Sequence, residues 1–222
     1  KINEIFYSIQ GESSYTGLPC IFIRLTFCNL RCNYCDTEYA FYEGEDWSIS
    51  KILTKIKEYP CNLVMITGGE PLLQQEALCN WLTIVEEHLH IKPTIEVETN
   101  GTIVPNKSLS ERVSQYNVSP KSTNSGVPKS DRIKSEAISY FSQSPKAIFK
   151  FVVTTETDIE DIQKTLIHPY NIPHQSIMLM PGACTKQALE ILAPKVIQWC
   201  KDHHYQYSSR LHIATWDQKT GV

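Results

Sequence analysis

Three cysteines stand within eight residues, Cys28-Asn-Leu-Arg-Cys32-Asn-Tyr-Cys35, and no fourth lies close by. They follow directly on residues 18–26 (Leu-Pro-Cys-Ile-Phe-Ile-Arg-Leu-Thr), an apolar, β-branched run of the kind that forms a buried parallel strand. The thiols are thus expected at the C-terminal end of a strand, where α/β folds place their active sites. A structural zinc site wants four closed ligands, and the usual two-pair zinc spacing is absent. A cubane iron–sulfur cluster also needs four ligands, so three thiolates leave one iron to a non-protein molecule. The residues alone leave two other readings, a zinc knuckle borrowing a distant histidine and core thiols clustered by chance.

The rest of the chain alternates strands with helices about every thirty residues. Strands are expected at 3–9, 18–26, 62–67, 93–99, 116–119, 146–153, 176–180 and, shortest, 210–213. Helices are expected at 47–58, capped by Ser48 or Ser50, then at 72–89 with Pro71 in the first turn, 157–167 and 185–202. This predicts a single α/β domain over residues 1–222, an open partial β/α barrel with about six parallel strands, fewer than the eight of a closed barrel. Residues 120–137 are polar with two prolines and are expected to be the least ordered.

With 222 residues, 41% hydrophobic, the chain suffices for one sizeable core. A net charge of −3 leaves no electrostatic footprint for nucleic acid. No apolar run is long enough for a membrane span and no export signal is evident, so a reducing, cytoplasmic setting is expected. The five other cysteines (Cys20, Cys61, Cys79, Cys184, Cys200) are scattered singly and read as small buried hydrophobes.

Several polar residues fall at strand ends. Gly68-Gly69-Glu70 breaks a strand before a helix, a turn that brings backbone close to a ligand. Arg24 lies within an apolar strand, which suits either an anion site or a structural ion pair. Glu96 and Glu98 share one face of their strand, with Glu98 nearer the site end. Gln10-Gly11-Glu12 reads as an ordinary turn, and His212 as a satisfied core histidine.

The C-x3-C-x2-C spacing, the aromatic Tyr34 before the last cysteine and the later Gly-Gly-Glu resemble the radical S-adenosylmethionine (SAM) enzymes. That resemblance implies a 4Fe–4S cluster on Cys28, Cys32 and Cys35, with SAM completing the fourth iron and yielding a 5′-deoxyadenosyl radical on reduction. The flanking segments, Phe6 to Glu12, Arg24, Cys35-Asp36-Thr37, Ile66 to Pro71, Glu98 to Gly101, Ser119-Pro-Lys121, Arg210-Leu-His212 and the terminal Gly-Val222, are similar to the 7-carboxy-7-deazaguanine synthases. The glycyl-radical activases, which share the cysteine spacing and act on a protein partner, are the alternative. They leave Arg24 and the Gln10–Glu12 loop without a role. A non-enzymatic electron-transfer or zinc-stabilised module is a third reading, which cleavage of SAM would exclude.

The synthase resemblance implies ring contraction of 6-carboxytetrahydropterin with loss of ammonia, Mg2+ held through Thr37, and SAM regenerated after each turnover. It assigns SAM contacts to Tyr34, Cys35, Asp36, Gly69, Glu98, Ser119 and Lys121. It assigns substrate contacts to Ile9, Gln10, Gly11, Glu12, Arg24, Thr67, His212 and the carboxylate of Val222. Residues 178–181 (Met-Leu-Met-Pro) depart from a Gln-Pro pair often found there, so backbone contacts to adenine are expected. The family further suggests a homodimer and an electron donor such as flavodoxin or ferredoxin.

Overall fold

In the computed structural model, which describes residues 1–89 and 92–222, one sheet of eight strands organises the chain. The strands are β1 (Ile2–Ile9), β2 (Pro19–Leu25), β3 (Leu63–Gly68), β4 (Thr94–Thr99), β5 (Gln115–Val118), β6 (Ala147–Val153), β7 (Ile177–Pro181) and β8 (Gln206–Tyr207). Their spatial order follows the sequence, and β1 and β8 are not paired to each other, so the barrel is open. From β2 to β8 every pairing is parallel. The opening strand β1 instead runs antiparallel to β2, a hairpin arm added to the parallel sheet. Six parallel strands of useful length agree with the expected count, with the two-residue β8 beyond them.

The helices are α1 (Ile49–Lys57), α2 (Gln75–Leu89), α3 (Lys107–Arg112), α4 (Lys129–Arg132), α5 (Ser135–Gln143), α6 (Glu156–Ile162), α7 (Lys186–His203) and α8 (Leu211–Trp216). Ser48 caps α1 by accepting from the Lys51 amide, as side-chain oxygens do at helix starts. Pro71 opens a 3-10 turn that leads into α2.

Strand alternation sorts the sheet into two unlike faces. Ile21, Ile23, Val64, Ile66, Ile95, Val97, Tyr116, Val118, Phe149, Phe151, Ile177 and Leu179 face the helices and form one core with Ile52, Trp81, Leu82, Phe141, Ile162 and Val196. Each such fully buried large side chain adds about 1.5–3 kcal/mol. The opposite, concave face is closed at the N-terminal ends of the strands by Cys20, Leu63 and Met65. Toward the C-terminal ends it turns polar, with Arg24, Thr67, Glu96, Glu98, Asn117 and Lys150 at alternate positions.

Three expectations fail. Residues 210–213 form no strand; they open α8, with the Ala214 amide on the Arg210 carbonyl, because four residues are too few for an alternating pattern to exclude a helical turn. Residues 120–137 are not loosely held. They form a 3-10 turn, α4 and the start of α5 around the buried Arg132, which donates to the Lys121 carbonyl (2.9 Å) and Thr123 Oγ1 (3.0 Å). Polar composition misled there because the hydrogen bonds are satisfied by backbone several residues away. The third failure concerns cysteines: Cys184 is exposed and Cys61 and Cys79 half-buried, leaving only Cys20 and Cys200 as buried thiols outside the triad.

Candidate active site

The cysteine loop leaves β2 through a strained residue. Phe27 has φ 78°, rare for a bulky side chain and costing on the order of 1–3 kcal/mol. Its conformation is held at both ends, the amide donating to Ala40 O (2.9 Å) and the carbonyl accepting from Glu70 N (2.7 Å). This turn sets Cys28 against the Gly68-Gly69 corner: a Cβ on Gly69 would lie 2.1 Å from Phe27 O and 2.8 Å from Cys28 Cβ. Only glycine permits that approach. Glu70 fixes the corner from below, accepting from Leu72 N (3.0 Å), Thr99 Oγ1 (2.9 Å) and Asn100 N (2.7 Å). Burial outweighs those donors and raises its pKa to about 7.

The three thiols are half-buried and close enough to perturb one another. Burial raises the pKa of Cys28 and Cys32, and nearby Lys121 partly opposes this. Cys28 Sγ accepts from Leu30 N at 3.4 Å. Among the described residues no three His, Cys, Asp or Glu side chains converge on one point as a mononuclear metal site. Three spaced thiols over a glycine corner fit a multi-iron cluster, whose ligands are thiolates arranged around a larger body. Beside them Lys121 Nζ donates to Ser119 Oγ (2.9 Å), and the Ser119 amide donates to Thr99 O (2.7 Å). Asn33 of the loop donates its amide to Ser125 O (3.0 Å), which ties the cysteine loop to the 122–125 turn. Tyr34 is half-buried, and that burial pushes its pKa up.

A second cluster lines the concave face. Lys150, fully buried on β6, pairs with Glu12 and with Glu98 Oε1 (2.8 Å). Glu12 also receives Arg210 Nε (3.2 Å), with His212 Nε2 at 3.7 Å. Arg210 continues to Asp36, just after the last cysteine, and to Ala183 O (2.7 Å). A chain of charges, Glu98–Lys150–Glu12–Arg210–Asp36, therefore runs from β4 to the cysteine loop. Burial would raise the pKa of Glu12, but Lys150, Arg210 and His212 together hold it far below the usual carboxylate range. Partial desolvation would raise the pKa of Asp36, whose side chain is about half exposed, but Arg210 prevails and lowers it. Burial lowers that of His212, only partly offset by Glu12. His212 is held close to the loop, since a Cβ on Gly11 would meet its Nδ1 at 2.3 Å.

Deeper in the concave face sits Glu96, fully buried and not solvated. It accepts from Gln10 Nε2 (2.8 Å), Gln115 Nε2 (3.0 Å) and Asn117 Nδ2 (3.0 Å). Burial prevails over these neutral donors and raises its pKa to about 7. Gln10 in turn accepts the Glu12 amide on its Oε1 (3.2 Å), so Glu96 anchors the loop that carries Glu12.

Arg24 uses Nε on Glu4 Oε1 (2.7 Å), and that oxygen also accepts from Tyr39 Oη (3.1 Å). Its two terminal nitrogens make no hydrogen bond among the described residues, so both readings of Arg24 have a physical basis. Thr67 stands beside it, paired in register. Among the described residues the hydroxyl of Thr37 has only long contacts, to Asp36 Oδ1 (3.4 Å) and Cys35 Sγ (3.8 Å). Val222 lies with Tyr7, Ser8, Ile9 and Trp216 around a cavity of about 350 Å³ at the β1 edge, and Gly221 is near Glu4. Met178 and Met180, on β7, turn to the concave face.

Lys150 was not singled out from sequence, nor was Asn117. The available signal was a lysine in the apolar run Ala-Ile-Phe-Lys-Phe-Val-Val, the same kind of anomaly that marks Arg24.

An open parallel barrel with a three-thiol loop and a Gly-Gly-Glu corner at its strand ends defines the class, and the sequence signature of the Radical SAM superfamily matches residues 22–139. A 7-carboxy-7-deazaguanine synthase of Pyrobaculum aerophilum is 34% identical, covering 100% of this chain and 96% of its own. A second, of Hyperthermus butylicus, is 33% identical over 96% of this chain and 91% of its own. The crystal structure of QueE from Escherichia coli superposes with a TM-score of 0.71 at 26% identity, covering 95% of this chain and 93% of that one. The chain belongs to the 7-carboxy-7-deazaguanine synthases of the radical SAM superfamily. The activase alternative finds no support among these relatives. Among the described residues no helix is long and apolar enough to cross a membrane.

Proposed function

We propose that the protein converts 6-carboxy-5,6,7,8-tetrahydropterin to 7-carboxy-7-deazaguanine with release of ammonia, using SAM, a 4Fe–4S cluster and Mg2+. The observation that carries this reading is the charged concave face opening beside the three-thiol loop, which juxtaposes a carboxylate- and heterocycle-binding surface with a cluster site. When bound, the cluster supplies one-electron reduction of SAM, and the magnesium ion supplies Lewis-acid and templating chemistry.

The chain's own residues do the positioning. Cys28, Cys32 and Cys35 would hold the iron; burial raises the thiol pKa values of Cys28 and Cys32, so assembly on those two thiols releases protons. The backbone at Gly69 and at Tyr34 to Asp36, with Ser119, Lys121 and Glu98, binds SAM. Arg24 offers its two free terminal nitrogens to the pterin carboxylate as a planar fork. Glu12, kept ionised, accepts from the amide and amino edge of the heterocycle, and Ile9, Gln10, Gly11, Thr67, His212 and Val222 complete the enclosure. Thr37 would be the protein ligand to magnesium, a hard cation that prefers oxygen donors. The enzyme works as a homodimer, and flavodoxin or ferredoxin delivers the electron.

Anaerobic reconstitution with iron and sulfide, then reduction and addition of SAM, magnesium and the pterin, tests the reading by mass spectrometry. Deazapurine formed without matching loss of SAM is expected; cleavage of SAM with no deazapurine would move the search to another substrate. Cys32→Ala is expected to abolish the cluster absorbance, and an intact four-iron spectrum would remove Cys32 from the ligand set. Thr37→Ala should lose magnesium dependence and most turnover while keeping the cluster and SAM binding; full activity that still depends on magnesium would refute the assignment.

A further inference from the structure

Lys150 is the feature of the concave face that fold stability explains least. Its side chain is 1% exposed, on a strand whose other concave-face residues are Ile148 and Val152. A buried ion pair is often no more stabilising than well-packed apolar side chains of the same volume, so an aliphatic residue would serve the fold as well. Nor does Glu12 need Lys150 for charge balance alone, because Arg210 already pairs with it. What Lys150 adds is a connection. Its ammonium holds Glu12, on the β1–β2 loop, and Glu98, at the end of β4, to the same nitrogen. Glu98 Oε2 is left without a hydrogen bond among the described residues, and both carboxylates are partly exposed, at 18% and 26%.

We propose that Lys150 is a positioning residue, a buried ammonium that sets the substrate-loop carboxylate of Glu12 at a fixed place relative to the SAM-side carboxylate of Glu98. This rests on the synthase reading for what the two carboxylates meet. Hydrogen transfer between two bound molecules depends on their separation, and displacement by about 1 Å costs about 100-fold. One nitrogen holding both carboxylates fixes that separation more tightly than two independent contacts. The loop is further seated by Gln10 on Glu96 and by Ser13 Oγ on Asn117 Oδ1 (2.6 Å). Loss of Lys150 therefore removes the link between Glu12 and Glu98, leaving Glu12 on Arg210, without detaching the rest of the loop.

Two measurements on Lys150→Met and Lys150→Arg, compared with the native protein, decide this. The first needs no pterin: hydrogen–deuterium exchange of the residue 10–13 amides with and without SAM, on protein carrying its cluster. SAM is expected to slow exchange in the native loop and to have no effect there in Lys150→Met. The second is the ratio of 5′-deoxyadenosine released to deazapurine formed. It should rise about tenfold or more in Lys150→Met, from misdirected radical chemistry, and fall between the two in Lys150→Arg. A purely structural role would lower the melting temperature and the cluster content but leave both the ratio and the SAM effect at native values, which would overturn the proposal. If Lys150→Met does not fold, Lys150→Arg decides alone, a native ratio and a native SAM effect again overturning it. If the native protein forms no deazapurine, the synthase reading fails, and the exchange measurement still decides the role of Lys150.

Discussion

Glu12, partly exposed, and Glu96, fully buried, are carboxylates on the concave side that govern the same short loop, yet they are held in opposite ways. Glu12 is met by cations, Lys150 and Arg210, and stays ionised far below its ordinary pKa. Glu96 is met by three side-chain amides and makes no ion pair among the described residues, and burial raises its pKa to about 7. Both accept several hydrogen bonds, so the number of donors does not decide the charge state. The difference shows that neutral dipoles satisfy a buried carboxylate's lone pairs without repaying the loss of water around a full charge. The loop thus has a neutral foot at Gln10 and a charged tip at Glu12.

The sharpest way to break this contrast is Glu12→Gln. Removing one partner from a buried charge network typically costs about 3–5 kcal/mol. Lys150 and Arg210 keep Glu98 and Asp36, so the lower end, about 3 kcal/mol, is expected. For a chain of this size that is a drop of about 6–12 °C in melting temperature. Calorimetry showing a loss below about 1 kcal/mol would mean that the charged tip is not held as described.

Next in size is the pH dependence. Between an unfolded pKa of 4.5 and a folded value of about 7, Glu96 keeps a proton that the unfolded chain has lost. Stability therefore falls as pH rises through that window, by on the order of 3 kcal/mol in total. Glu12 has the opposite sign: its contribution is complete above about 4.5 and is lost only as pH falls through its depressed folded pKa. In melts of the ligand-free protein from pH 5 to pH 8, Glu96→Gln should gain on the native protein as pH rises, whereas Glu12→Gln should trail it by a nearly constant amount. Parallel curves for Glu96→Gln would show that Glu96 ionises like an exposed carboxylate. Glu70, raised to about 7 in the same way, adds a decline common to all three proteins.

The smallest effect concerns the tip's neighbour. In Gly11→Ala the new methyl group would lie 2.3 Å from His212 Nδ1 and must displace the ring. KM for the pterin should rise about three- to tenfold with kcat nearly unchanged, the mark of lost ground-state binding. An unchanged KM in steady-state assays would remove His212 from the substrate side.

How much could be read in advance depended on the range of the interaction. Cys28, Cys32 and Cys35 are close together in sequence, as are Gly68, Gly69 and Glu70, so spacing shows each motif, while the closure of the corner on Phe27 and Cys28 is a long-range contact that the fold makes. The concave position of Glu96 and Glu98 followed from strand alternation, but Glu96's burial did not, since it requires the loop of Gln10 to fold over it. The 210–213 segment shows the opposite failure, a short pattern read as strand where the Arg210–Ala214 backbone bond makes a helix.

By itself the sequence determined the alternation of strands and helices, the three-thiol motif and the family, because these depend on period, spacing and motif. Only the tertiary structure decided that Lys150 meets Glu12 across 138 residues and that Arg210 meets Asp36 across 174. A buried charge is tolerable only beside its partner, and which residues become partners is settled when strands from distant parts of the chain close around one concave face.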